Sequence, residues 1–145
     1  MDERLAARLM KLKKGVQELA EYELAKATET VHETAAAYEA TVRRRQSAQS
    51  HLAACSETQE LELWRHYVDA LRVQEARLYE TWQAALNEER DRRRTVESAY
   101  RDVRRWEMVA DAVAERVKKL RAADEMRAAD ERAALMFGRG LAHES

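Results

Sequence analysis

The sequence predicts an all-α fold, a long antiparallel two-helix coiled-coil hairpin whose C-terminal arm is the longer one. Charged residues make up 37% of the 145 positions, and Ala, Glu, Arg and Leu dominate, which is typical of long helices. The chain has no proline, and no period-two run bounded by turn residues predicts a strand. Two helical stripes of apolar residues can be paired antiparallel about a single break.

The first helix is expected over residues 2–54. Its apolar or small residues recur about every 3.7 positions, which keeps one face aligned along a nearly straight helix. The same face continues with polar residues at Arg45 and Gln49 before it reaches Leu52. The members of this stripe are Leu5, Leu9, Leu12, Val16, Ala20, Leu24, Ala27, Val31, Ala35, Tyr38 and Val42.

The turn is expected at residues 54–58, inside the stretch "LAACSETQELEL", which has neither glycine nor proline. Ser56 is followed three residues later by Gln59, the spacing of a capping box that opens a new helix. The midpoint of the antiparallel register also falls here. A continuous rod that dimerises antiparallel would satisfy the same pairings between two chains, so this alternative stays open.

The second helix is expected over residues 57–137, with residues 138–145 as a flexible C-terminus after Gly138, a natural helix stop. Two heptad columns, one through Val68 and Val96 and the other through Leu71 and Ala99, form a single seam. The proposed register pairs positions 45/68, 38/75 and 20/92. Beyond Ala110 the second helix should outrun its partner.

Charge and composition argue against several functions. The formal net charge of −1 gives no field for a polyanion. In and beside "ERDRRR", Glu88 can pair with Arg92 and Glu89 with Arg93, each four residues apart. His51 and Cys55 stand four apart, but two ligands are half a metal site and no third completes it. No nucleophile–base set or phosphate loop is present. We therefore expect no enzyme activity, cofactor, metal or nucleic-acid partner.

Targeting signals are also missing from the sequence. The charged N-terminus "MDERLAARLMKLKKG" is no secretory signal, and no window approaches the roughly 20 apolar residues of a membrane span. The single Cys55 fits a reducing compartment. We expect a cytoplasmic protein with no direct membrane insertion.

Both ends of the chain resemble one known family. "RLAARLMKLKKGVQELAEYELAKA" looks like the start of the flagellar export protein FliJ and its injectisome counterparts of the YscO type. "YRDVRRWEMVADAVAERVKKLRAADEMRAADERAALMF" is similar to the C-terminal arm of that family. The resemblance covers nearly the whole chain.

The resemblance implies a stalk protein of flagellar or type III secretion export, peripherally associated with the inner-membrane export apparatus. The implied partners are a hexameric export ATPase, the cytoplasmic domain of the export gate and, in some members, export chaperones. The ATPase ring would contact the terminal arm, at Val113, Val117, Leu120, Met126 and Leu135. The gate would contact the upper hairpin, at Tyr38, Val42, Trp64, Leu71, Leu78 and Tyr79.

A different class of protein is the alternative. A non-catalytic coiled-coil scaffold or adaptor would have the same heptads and would self-associate. A stalk should be monomeric and stimulate its ATPase, whereas a scaffold should associate at low concentration and leave the ATPase unaffected.

Overall fold

The protein folds into two helices joined by a short turn. The computed structural model describes the backbone of residues 2–144 and the side chains of residues 2–140. Helix α1 spans Glu3–Ala54 and helix α2 spans Thr58–Glu144, so the turn is only Cys55–Glu57. The predicted all-α antiparallel hairpin with a longer second helix is confirmed.

The chain divides into two compact units. The hairpin unit is Gln17–Ala99, which includes the turn, and the terminal unit is Met1–Val16 with Tyr100–Ser145. Each unit contains a stretch of α1 paired with a stretch of α2.

The turn begins α2 without the expected capping box. Thr58 is the first helical residue, so Glu57 rather than Ser56 precedes the first turn of α2. The Glu57 carbonyl accepts a hydrogen bond from the Leu61 amide at 2.9 Å. Cys55 closes the end of α1, because its amide donates to the Leu52 carbonyl at 3.3 Å. The predicted N-cap at Ser56 is therefore one residue too early, because Glu57 occupies that position.

The core of the hairpin unit is a seam of small and β-branched residues. One cluster joins Ala20, Val96 and Ala99, with Leu24 packed against it. The other joins Ala48, Val68 and Leu71, and is flanked by Leu52 and Trp64. The α2 columns predicted from the heptads are therefore the buried ones in this unit.

The most deeply buried positions of helix α1 follow a heptad, and the predicted stripe from Leu24 to Val42 is half-buried beside them. The buried positions Ala20, Thr41 and Ala48 are separated by multiples of seven. Thr41 is only 2% exposed, and its hydroxyl donates to the Ala37 carbonyl at 3.0 Å, which satisfies the buried oxygen inside the helix. A 3.5-residue period holds one face against a partner helix.

The contacts of the hairpin unit lie up to seven residues, or about two helical turns, later along α2 than predicted. Arg45 pairs with Glu75 instead of Val68, and Tyr38 stacks on Trp82 instead of lying beside Glu75. In the predicted register each of these charged residues would have faced an uncharged one. Pairing the two charges avoids leaving either one buried without a partner.

In the terminal unit the same heptad brings unexpected residues to the seam. Ala6 is 2% exposed and Lys13 pairs with Asp102, with Nζ and Oδ2 3.7 Å apart. The predicted seam residues Leu5, Leu12 and Val16 are instead 48%, 62% and 48% exposed. This prediction is wrong because seven-residue steps from Ala20 lead to Lys13 and Ala6 and leave the leucines beside the seam.

Helix α1 also covers more of the terminal arm than predicted. Val113 is 7% exposed, although it was expected to lie beyond the cover of α1. Glu3 lines the same groove as Val117, so the first turn of α1 reaches that far. The shifted register accounts for the difference, since it pairs each α1 residue with a later position of α2.

The predicted end of α2 at residue 137 is also wrong for the described backbone. The helix continues through Gly138 and Gly140 to Glu144. A glycine ends a helix when it adopts a left-handed conformation, and no glycine in the described chain has a positive φ. The surrounding Arg, Leu and Ala residues favour continuation.

Candidate interaction surfaces

The end of α2 beyond Val117 is uncovered. Every described side chain from position 118 to 140 is exposed. Of the predicted ring-contact residues, Leu120, Met126 and Leu135 lie here, Val117 is half-buried and Val113 is buried. The large apolar side chains of this uncovered end are Leu120 at 57% exposure, Met126 at 70%, Leu135 at 65%, Met136 at 73% and Phe137 at 70%.

The apolar residues of the uncovered end do not form one stripe. At about 100° per residue, Met126 and Leu135 lie on opposite sides of the helix. Met126, Ala133 and Phe137 follow steps of seven and four, and share one face within about 40°. Phe137 was absent from the predicted contact set, and this spacing is the signal that would have included it.

Charged residues separate these apolar positions. Arg127 pairs with Asp124 at 3.0 Å on the exposed surface. Lys118, Lys119 and Arg121 precede them as a short basic run. Exposed pairs of this kind contribute little to stability. The uncovered end therefore carries both apolar and charged groups that a partner could contact.

An aromatic cluster forms the second surface, on the hairpin unit. Tyr38 stacks on Trp82 with ring centroids 5.6 Å apart and planes at 22°. Tyr79 lies 5.6 Å from Tyr38 and meets Trp82 edge-on at 6.0 Å. The Trp82 Nε1 atom is buried and has no hydrogen-bond acceptor. An unsatisfied buried donor costs about 1–3 kcal/mol, which the packing of the rings has to offset.

An ion pair lies beside the aromatic rings. The Arg45 guanidinium donates through Nε and Nη2 to the Glu75 carboxylate, and through Nη1 to the Gln49 side chain at 2.9 Å. The hydrogen bond to Glu75 raises the pKa of Arg45. Tyr38, Arg45, Glu75 and Tyr79 line one open groove with Arg72, Ala76 and Glu80.

The predicted gate-contact residues divide between the seam and the surface. Tyr79 is 47% exposed, and Tyr38, Val42, Trp64 and Leu78 are half-buried. Leu71 is 4% exposed and packs in the cluster with Ala48 and Val68, so it cannot be presented to a partner. The predicted contact set did not include Arg45 and Glu75, which line the groove, or Trp82, which stacks on Tyr38 beside it.

The tip of the hairpin unit carries a thiol and a second aromatic group. His51 stacks on Trp64 at 4.7 Å, and Tyr67 meets Trp64 edge-on at 6.0 Å. The Cys55 thiol lies 3.2 Å from a Glu60 carboxylate oxygen. This hydrogen bond raises the pKa of Cys55, and burial raises it further. Among the described residues no three His, Cys, Asp or Glu side chains gather as metal ligands.

The arginine run on α2 pairs within its own helix. Arg92 and Glu88 are 2.8 Å apart, and Arg93 and Glu89 are 3.4 Å apart. These i,i+4 pairs were predicted and are confirmed. Arg94 reaches Asp91 at 4.0 Å. The run therefore carries its own counter-charges.

No family model, curated protein or solved structure matches this chain. Neither described helix has an apolar stretch long enough to cross a bilayer.

Proposed function

We propose that this chain is the central stalk of a flagellar or type III protein export ATPase. Its terminal arms would enter the hexameric ATPase ring, and its hairpin unit would contact the cytoplasmic domain of the export gate. The proposal rests on the resemblance of both chain ends to the FliJ and YscO type, and on the antiparallel hairpin with a longer second helix.

The observation that carries the proposal is the uncovered end of α2. Most of the stability of a protein helix comes from packing of its apolar face and not from helix propensity. Leu120, Met126 and Phe137 are each more than half exposed within this chain, so a partner surface would stabilise them. An apolar ring lining around the terminal arm would supply that cover.

The gate contact is assigned to the groove beside Tyr38, Arg45 and Tyr79. Aromatic and arginine side chains are the types most often found at the energetic centre of protein interfaces. The groove is open to solvent and combines ring faces with a charged rim. It has no nucleophile–base pair that would support catalysis, so we assign it a binding role.

The ATPase of the same export system provides the test. Leu120→Asp with Met126→Asp should abolish stimulation of ATP hydrolysis, because burying an unpaired carboxylate costs several kcal/mol. The same charges on an exposed helix should leave the helicity of the free protein unchanged. ATP hydrolysis and circular dichroism are measured at matched concentrations.

The matched control is Arg93→Ala with Arg94→Ala. Their ion pairs lie at the surface of the hairpin unit and contribute little, so stimulation should persist. If the arginine variant loses stimulation and the double-aspartate variant keeps it, the uncovered end is not the ATPase contact.

The scaffold alternative makes the opposite prediction for assembly. A self-associating chain would cover its exposed apolar residues with a second copy, and its mass in sedimentation equilibrium would rise with concentration. A stalk would stay monomeric over the same range and would associate only with the ATPase.

A further inference from the structure

The start of α2 carries an open groove beside the turn, which we call the tip groove. Glu60, Leu63, Trp64 and Tyr67 line it, and their spacing places them on one face of the helix. Leu63 is 69% exposed and Tyr67 is 45% exposed. The tip groove has no residue in common with the groove beside Tyr38 or with the uncovered end of α2.

Two aromatic rings form a corner in the tip groove. The Tyr67 ring meets the Trp64 ring at 70°, with centroids 6.0 Å apart. His51 stacks on Trp64 at 4.7 Å but does not line the groove, so it supports the indole from outside. The faces of aromatic rings carry partial negative charge and attract a cation placed over them. The corner therefore offers a cation a ring surface that is already held in position.

The charge beside this corner is negative. Glu60 lines the groove, Glu57 precedes it by one helical turn, and both side chains are exposed. Among the side chains that the structure describes, no Lys, Arg or His forms an ion pair with either carboxylate. The hydrogen-bond partner of Glu60 is the Cys55 thiol, 3.2 Å from Oε2. These charges repel phosphate groups, whether of nucleic acid or of lipid, and favour a cationic occupant.

An arginine side chain matches each part of the tip groove. Its aliphatic stem can lie along Leu63, its planar guanidinium can stack on a ring face, and its N–H groups can bond both oxygens of one carboxylate. Lysine has a compact ammonium without that plane or fork. The groove is open to solvent, whereas a site for a small free molecule encloses most of its ligand. The arginine should therefore belong to a protein.

We infer that the tip groove docks an arginine side chain of a partner protein. The guanidinium lies in the corner of Trp64 and Tyr67 and pairs with Glu60, while its stem packs on Leu63. This contact goes beyond the proposed stalk function, which uses the groove beside Tyr38 and the uncovered end of α2. Of the residues that the resemblance implies for the gate, the tip groove includes only Trp64.

The probe is a short peptide of glycine and leucine with one central arginine. Its binding to the full chain is followed by NMR of the tryptophan indole N–H groups, which detects weak association. The arginine peptide should shift the Trp64 signal and leave the Trp106 signal in place. Citrulline keeps the shape of arginine without its charge, so the citrulline peptide should bind at least about fivefold more weakly. A lysine peptide should also bind more weakly than the arginine peptide.

Two variants with matched controls test the residues of the tip groove. Glu60→Gln should weaken binding of the arginine peptide about two- to fivefold, the range of an exposed ion pair. Its control is Glu62→Gln, which changes an exposed glutamate on the opposite side of α2 and should leave binding unchanged. Tyr67→Leu should weaken binding by a similar factor of about two to five, because one ring is lost. Its control is Tyr22→Leu, a 60% exposed tyrosine elsewhere in the hairpin unit.

Four results would overturn the inference. These are an unmoved Trp64 signal, equal binding of the citrulline or lysine peptide, equal binding by Glu60→Gln and Glu62→Gln, and a shift of Trp82 in place of Trp64. Tighter binding of a trimethyllysine peptide would assign the groove to a methylated lysine instead. A Trp64 shift that grows with the concentration of the chain alone would assign it to a second copy. ATPase stimulation is not measured, so the outcome is independent of the proposed function.

Discussion

At the scale of single residues, Arg45 and Glu75 are the least expected members of the seam. Each side chain is about one-fifth exposed, and they bond to each other across the helices. Removing both charges from such a pair is often neutral, whereas removing one leaves the other without compensation. The pair therefore selects a register more than it adds stability.

A double-mutant cycle tests this role. Glu75→Leu alone should lower the urea midpoint of unfolding, and so should Arg45→Leu alone. The double variant should recover most of the loss, because no buried charge then lacks a partner. Chemical denaturation followed by circular dichroism measures all four proteins. Additive losses in the double variant would show that the two charges act independently.

The Cys55 thiol gives a prediction about pH. Its pKa is raised first by the hydrogen bond to Glu60, so less reactive thiolate is present at a given pH than in an ordinary cysteine. Glu60→Gln removes the negative charge and should lower the pKa, which increases the alkylation rate near neutral pH. Iodoacetamide kinetics across a pH series measure the shift. A profile that moves to higher pH in this variant would contradict the assigned cause.

At the scale of the helix, burial decides the effect of a charge. Val113→Asp should lower the free energy of unfolding by several kcal/mol, because Val113 is 7% exposed. Leu120→Asp should change it by no more than about 0.5 kcal/mol, since Leu120 is 57% exposed. Urea denaturation of both variants gives the comparison. Equal losses would mean that α1 covers Leu120 as well.

Amide exchange should follow the same boundary. The described side chains of residues 118–140 of α2 are all exposed and their amides should exchange fast, whereas amides near Val103 and Val113 should be protected. Hydrogen exchange with mass spectrometry can resolve the two stretches. Uniform protection along the arm would reveal a cover supplied by a second chain.

The two helices were not equally predictable from sequence. In α2 the large residues Val68, Leu71 and Val96 occupy the heptad columns, so composition and burial agree. In α1 two columns one residue apart compete, and apolarity favoured Leu5 and Leu12 over the buried Ala6. The buried Thr41 and Ala48 instead determine which face of α1 is turned toward α2. Their side chains are small or polar, so a search for large apolar residues does not find them.

At the scale of the whole molecule, sequence predicted the fold class and the turn but not the register. Two regular seams can pair at many offsets. The charges of Arg45 and Glu75 favour the observed offset, because only there do the two side chains form an ion pair. Among the candidate sites, the exposure of Leu120 could be predicted, because a second helix longer than the first must extend beyond it. The groove beside Tyr38 was not, because its residues meet only in the observed register.

Engineered cysteine pairs test the register of the hairpin unit directly. In a Cys55→Ser background, Ala20→Cys with Ala99→Cys should crosslink within one chain, because both residues lie in one buried cluster. The control pair is Ala20→Cys with Arg92→Cys, which the sequence-based register would have joined. Efficient crosslinking of the control alone would restore that register, and crosslinks only between chains would replace the hairpin by an antiparallel dimer.

The short Cys55–Glu57 turn sets an order for folding. Ala48 and Val68 are 20 positions apart along the chain, whereas Ala20 and Val96 are 76 apart. Closing the longer loop first would cost about 1 kcal/mol more in chain entropy. Contacts next to the turn should therefore form first, and pairing should then spread outward through the hairpin unit.

Under this order of folding, Val68→Ala should slow refolding, whereas Val96→Ala should mainly speed unfolding. Stopped-flow fluorescence of both variants would show whether the turn is the nucleus.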